Sequence, residues 1–143
     1  SQYAKQAIHQ KLRQIIPCHF LVSVKWSDSL QLYIPVGEKG RIIGKGGATI
    51  MELEKTLGLR VNVKTFDELP LLDVQYDIQY GKKNQWAFLY FPKEFANKTL
   101  CFLVDDDAVY FTADANGVIM IKKKNILNAI HDKSISIVDY DHL

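Results

Sequence analysis

Within the seven residues Arg41-Ile42-Ile43-Gly44-Lys45-Gly46-Gly47, three glycines surround one lysine directly after an apolar pair. Glycine weakens helix and strand alike and admits left-handed backbone, so no regular element runs through this segment. Its flanks are regular. A short helical piece spans Glu38 to Ile43, and downstream Ile50, Leu53 and Leu57 fall on one helical face, with Gly58 placed to cap it. The glycines therefore form a tight loop between two helices. A Walker phosphate loop does not fit: only three residues separate Gly40 from Gly44-Lys45, and Gly46 stands where Ser or Thr is needed. The dinucleotide fingerprint fails as well, because Thr49 takes the last glycine position and no βαβ unit surrounds it.

The elements before and after this loop extend the pattern. Ala4, Ile8, Leu12, Ile15 and Ile16 make a helical stripe opposed by Lys5, Gln6, His9, Gln10, Arg13 and Gln14, and Pro17 ends it. Phe20, Val22, Val24 and Trp26 alternate with polar and apolar neighbours as a strand. Ser27-Asp28-Ser29 turns the chain, and Leu30, Leu32 and Ile34 alternate on the return strand. After the two helices, Leu59, Val61 and Val63 alternate with Arg60, Asn62 and Lys64 as a third strand. The predicted order is α-β-β-α-α-β over residues 1–66.

Past Pro70, which disfavours a helical Leu69, the reading changes. Val74–Tyr80, Gln85–Phe91, Leu100–Asp105, Ala108–Ala113, Val118–Lys122 and Ile135–Tyr140 are predicted strands, and Asn125–His131 a short helix. Gly81, Pro92, Asp105-Asp106-Asp107 and Asn116-Gly117 supply the turns. Residues 67–143 are expected to form a small antiparallel β-barrel or sandwich with one helix, so the whole chain is α+β. Charge divides with the pattern. Residues 1–65 hold ten Lys/Arg against four Asp/Glu, and residues 66–143 hold eight against twelve. The basic first part suits an anionic partner.

Ile43-Gly44-x-x-Gly47 between two short helices resembles the GXXG loop of a KH domain, a resemblance that implies single-strand nucleic-acid binding. Glycine lets a sugar-phosphate backbone approach without Cβ clashes, and the helix that follows points N–H groups and its positive dipole end at phosphate. Lys45 and Arg41 are expected to add positive charge beside the loop. Ile42, Ile43 and Ile50, with Val61 and Val63, are expected to floor an apolar groove for about four unstacked bases. Arg60, Asn62 and Lys64 take the other face or the rim of the last strand, whose backbone groups are expected to read base edges. The element order corresponds to the type II KH arrangement, with the extra helix and strand before the core.

The run Tyr33-Ile34-Pro35-Val36-Gly37-Glu38-Lys39-Gly40-Arg41, continuing through the loop and Ile50-Met51-Glu52-Leu53-Glu54 to Leu57-Gly58, resembles the C-terminal KH segment of archaeal PIN-domain, PilT-like ATPases. That resemblance implies a parent protein with an N-terminal PIN domain, a central ATPase and a terminal KH domain. It further implies a homo-hexameric motor acting on DNA junctions or forks. Gly44, Lys45, Gly46 and Gly47 correspond to the family's KH loop. Neither the PIN acidic site nor the ATPase site lies in these 143 residues, so the chain is expected to be non-catalytic. The missing initiator Met and the immediate helical pattern make it an expected fragment of that longer protein.

The expected partner is single-stranded or branched DNA, with RNA as the alternative, in the setting of DNA repair or Holliday-junction processing. A second expectation is protein docking, the KH fold serving as a scaffold that recruits DNA-processing partners. Asp105-Asp106-Asp107 with Asp114 is expected to be a solvated turn, and His9, His19, His131 and His142 have no metal or triad spacing. No metal or cofactor is called for. Lys122-Lys123-Lys124 reads as a basic surface at a helix start, with a second phosphate contact as the alternative. Trp86, Phe88 and Tyr90 alternate with Ala87 and Leu89 and read as a core face, with a base-stacking platform as the alternative. Cys18 and Cys101 are too few for a disulfide framework, and nothing resembles a signal peptide or a membrane span of ~18 apolar residues. A cytoplasmic location is expected.

Overall fold

The computed structural model describes residues 2–24 and 28–143. The predicted positions Trp26 and Ser27 lie outside the described residues. The chain divides into two units, residues 1–69 with Leu143 and residues 70–142.

In the first unit the order is α1 (Gln2–Arg13), β1 (Leu21–Ser23), β2 (Ser29–Ile34), α2 (Lys39–Ile43), α3 (Ala48–Leu57) and β3 (Arg60–Thr65). A 3-10 turn, Val36–Glu38, leads into α2 after Pro35. The sheet order is β1-β2-β3, with β1 antiparallel and β3 parallel to β2. The parallel pair follows from the path: a strand that leaves through two helices returns on the same heading. Leu30 pairs with Val61, Leu32 with Val63 and Ile34 with Thr65, so these six share a face. That face packs with Leu12, Ile16, Phe20, Ile42 and Leu53 as one apolar core.

Two positions of the predicted stripe and its polar side differ from expectation. Lys5, expected on the polar side, is 3% exposed and its ammonium donates to the Leu143 carbonyl at 3.3 Å. Its methylene stem packs like an apolar side chain while the charged tip finds an oxygen. Ile15, expected on the apolar stripe, is 45% exposed because α1 has ended at Arg13. His9 is half-buried, its ring 4.6 Å from that of Phe20. Burial first, then Arg13 and Lys5, lower its pKa from the ordinary 6.5. Between 6.5 and the lower folded value the unfolded chain binds more protons, so stability falls on acidification through that window. His9→Leu is expected to flatten the change in Tm between about pH 7 and about pH 5.5, measured by thermal unfolding.

The second unit holds β4 (Asp77–Tyr80), β5 (Ala87–Tyr90), β6 (Thr99–Val104), β7 (Asp107–Thr112), β8 (Val118–Ile121), α4 (Lys124–His131) and β9 (Ser136–Asp139). The strands make two separate antiparallel sheets, β4-β5-β8 and β7-β6-β9. Their apolar faces and α4 share one core, including Leu89, Ile119 and Ile121 from one sheet, Leu100, Phe102 and Ile137 from the other, and Ile126 and Ile130 from the helix. Asp105 turns the β6–β7 hairpin at φ 52°, and Asp114 Oδ1 accepts the N–H groups of Asn116 and Val118. Both carboxylate positions are turn chemistry.

In β5 the expected faces are exchanged. Ala87 and Leu89 are fully buried, whereas Trp86 and Phe88 are half-buried and Tyr90 is 39% exposed. The ladder explains this: Leu89 lies opposite Ile78 and Ile119, and Ala87 opposite Tyr80 and Ile121, so those odd positions carry the core side of β5. The aromatic residues point the other way.

Candidate nucleic-acid interface

The loop between α2 and α3 is built from glycine backbone. Gly44 closes α2 with φ 78° and ψ 169°, and its N–H donates to the Gly40 carbonyl at 3.0 Å. Gly46 (φ 63°) and Gly47 (φ 79°) are left-handed, and Gly47 is the N-cap of α3 with no side-chain cap. The first turn of α3 holds no acidic residue, so its positive end is offset by neither a cap nor a carboxylate of its own. The glycines have different neighbours. A Cβ on Gly44 would stand 2.9 Å from the Thr49 backbone nitrogen, while one on Gly46 would meet nothing within 4 Å. Gly44 is fixed by packing, and Gly46 leaves open space at the loop tip.

Lys45 is exposed at that tip and has no ion-pair partner among the described residues. Arg41 is not available in the same way. Its guanidinium is held by Glu38, with Nε donating to Oε2 at 2.7 Å and Nη2 paired to the same oxygen. The pair sits one helical turn apart, so Glu38 offsets part of the charge expected from Arg41.

Beneath the loop, the five expected groove residues separate. Ile42 is 2% and Val61 7% exposed, both within the core, so they support the surface rather than form it. Ile43, Ile50 and Val63 are half-buried and supply the accessible apolar surface. α2 and α3 both contact β3. Arg60, Asn62 and Lys64 occupy the face of β3 away from the helices, because their neighbours Val61 and Val63 take the helix side. Arg60 and Asn62 are exposed there, and the Lys64 ammonium lies 6.0 Å from the Tyr33 ring centre. The structure thus groups Gly44–Gly47, Ile43, Ile50 and Val63, and leaves Arg60, Asn62 and Lys64 behind the strand.

β3 is an edge strand, and its outer edge has a pattern that sequence reading did not find. Arg60 donates its N–H to the Asp28 carbonyl at 3.4 Å, so even-numbered residues bond toward β2 and odd-numbered ones point outward. The outward N–H of Val61 is taken by Glu54 Oε2 at 3.0 Å, and that of Thr65 by Glu68 Oε2 at 2.8 Å. Hydrogen bonds from the Thr65 N–H, and then from its hydroxyl, lower the Glu68 pKa. Between these two plugs, Val63 presents an N–H and a C=O with no partner among the described residues. Glu54 on α3 reaches a strand seven positions later, a separation that carries no local sequence signal. The Glu38–Arg41 pair, by contrast, was readable from its spacing of three.

Residues 29–75 match the KH domain family model. The chain contains a KH domain. Its loop, helices and edge strand are the surface just described, and a KH domain is a nucleic-acid-binding fold. Over 64 residues the chain is 38% identical to an uncharacterized KH and PIN-domain containing protein of Methanocaldococcus jannaschii. The match takes in 43% of this chain and 10% of that protein, so the chain spans about a tenth of the length of the curated relative it matches. No solved structure matches the chain. Among the described residues no helix is long and apolar enough to cross a membrane.

Proposed function

We propose that the KH domain holds about four unpaired nucleotides of a single-stranded or branched nucleic acid, with the loop gripping phosphate and the β3 edge reading a base. The observation that carries this reading is the pairing of an open, uncapped glycine loop at the α3 N-terminus with a β3 edge whose outward N–H groups are taken by carboxylates at Val61 and Thr65 and left free at Val63. Lys45 supplies the point charge, and Ile43, Ile50 and Val63 receive the base faces. The order α-β-β-α-α-β with a parallel β2–β3 pair supports a type II KH arrangement.

The module is non-catalytic in this reading and positions a larger protein on its substrate. The partial match to a KH and PIN-domain protein supports a PIN-containing parent. The resemblance to PilT-like ATPases extends the proposal to a cytoplasmic, homo-hexameric motor working at DNA junctions or forks. The test is a salt-dependent titration of the 143-residue chain with single-stranded DNA, the matching RNA and a branched duplex. Affinity is expected to fall with salt at a slope of about −0.7 per phosphate contact on single strands. The ranking of the three substrates names the target. No binding to any of them would overturn the reading and leave the KH fold a protein-docking scaffold.

A further inference from the structure

Phe88, Tyr90 and Met120 stand on the side of the β4-β5-β8 sheet away from its core, with Trp86 at the end of the same row. Phe88 lies opposite Gln79 and Met120, and Tyr90 opposite Asp77 and Val118. The rings make a continuous row: Trp86 and Phe88 are 5.0 Å apart edge to face, and Phe88 and Tyr90 are 6.4 Å apart. The indole of Trp86 lies against Gly81, where any Cβ would collide with it, and the Tyr90 hydroxyl donates to Gln79 Oε1 at 2.9 Å. Both ends of the row are held in place. Met120 is 46% and Tyr90 39% exposed, and Trp86 and Phe88 are half-buried beside them on the same face.

Charge is gathered at one end of this row. Five of the eight lysines of residues 70–142 cluster there: Lys82 and Lys83 in the β4–β5 turn, and Lys122, Lys123 and Lys124 directly after β8. Ala87 pairs with both Tyr80 and Ile121, so the turn, Trp86 and Lys122 come to the same end of the sheet. All five lysines are exposed. Lys83 and Asn84 hold left-handed backbone at φ 56° and 54° within that turn. A protein-docking centre concentrates apolar groups and depletes charge. Here lysines crowd one end of an otherwise acidic unit, and Gln79 and Asp77 interrupt the face.

We propose that this face is a second single-strand nucleic-acid contact, on which unpaired bases stack against Phe88, Tyr90 and Trp86 while Lys82, Lys83 and Lys122 take the phosphates. Stacking on aromatic rings tolerates any base, so this contact adds grip without sequence preference. It stands on observations separate from the KH loop.

The test uses the full chain and a labelled oligothymidylate of about 15 nucleotides, long enough for a stacking surface. Phe88→Ala with Tyr90→Ala is expected to weaken binding about tenfold, and Phe88→Tyr with Tyr90→Phe to bind as the parent does. Lys82→Ala, Lys83→Ala and Lys122→Ala together are expected to reduce the salt slope by about 2. Fluorescence quenching on binding is expected in the parent, and Trp86→Phe should remove a share of it. Unchanged affinity, slope and quenching in these variants would overturn the proposal, as would a change confined to self-association in sedimentation. If the alanine pair fails to fold, the lysine triple on exposed positions decides. Binding abolished by a loop variant but untouched here sinks this contact and spares the KH reading; binding that survives the loop variant and needs the aromatic row does the reverse.

Discussion

Replacing Lys45 and Gly46 together by aspartate is expected to abolish single-strand binding by the KH loop while leaving the fold intact. Both residues are exposed, and the space around Gly46 is empty to 4 Å. Gly46 is left-handed at φ 63° and ψ 18°, a conformation that aspartate adopts more readily than most residues. The variant replaces the free lysine charge by two carboxylates at the point where phosphate would rest. Like charges brought together cost several kcal/mol, so the KH contribution to affinity should drop about a hundredfold or more. Fluorescence anisotropy at low salt reads the loss, and thermal unfolding should place the variant within a few degrees of the parent. Undiminished binding in a folded variant would remove the groove from the mechanism.

Gly44→Ala should act on stability instead. With φ 78° and ψ 169°, Gly44 sits in a region that is nearly glycine-only, costing about 1–3 kcal/mol for other residues. Its new Cβ would also press the Thr49 backbone nitrogen at 2.9 Å, which cannot move without shifting the start of α3. Overpacking of that kind adds about 1–3 kcal/mol. We expect a loss of about 3 kcal/mol or more in urea unfolding, against about 1 kcal/mol for Gly46→Ala, which has the backbone cost without the clash. Equal losses at the two positions would show that the loop is not held by Gly44.

The comparison of these glycines shows what could be read from the residues alone. Ile43-Gly44-x-x-Gly47 between two helical periodicities marks the loop, because few backbones place such glycines there. Leu30-Leu32-Ile34 and Val61-Val63 gave strands because alternation survives even at an edge. Alternation names the two faces of a strand without saying which is inside. Trp86, Phe88 and Tyr90 lost the core to Ala87 and Leu89, a choice made by the neighbouring strands β4 and β8. The same limit separates Ile42 from Ile43: adjacent helical residues point about 100° apart, and only tertiary packing decides which is buried. The plugging of β3 by Glu54 depends on how α3 lies against the strand, a long-range fact absent from any local pattern.

Those two plugs limit what the β3 edge can accept. A peptide strand adding to a sheet needs a run of alternating donors and acceptors, two or more outward residues in succession. Here Glu54 and Glu68 take the outward N–H groups on either side, and Val63 keeps the one outward N–H of β3 that has no partner among the described residues. In the reading proposed above, a nucleobase, with a donor and an acceptor on one planar edge, meets that single free N–H. The same carboxylates repel a second phosphate laid along the strand and remove the ladder that another copy of β3 would need to pair with it. An edge that would otherwise invite polymerisation is thereby left with too few free donors to start a ladder.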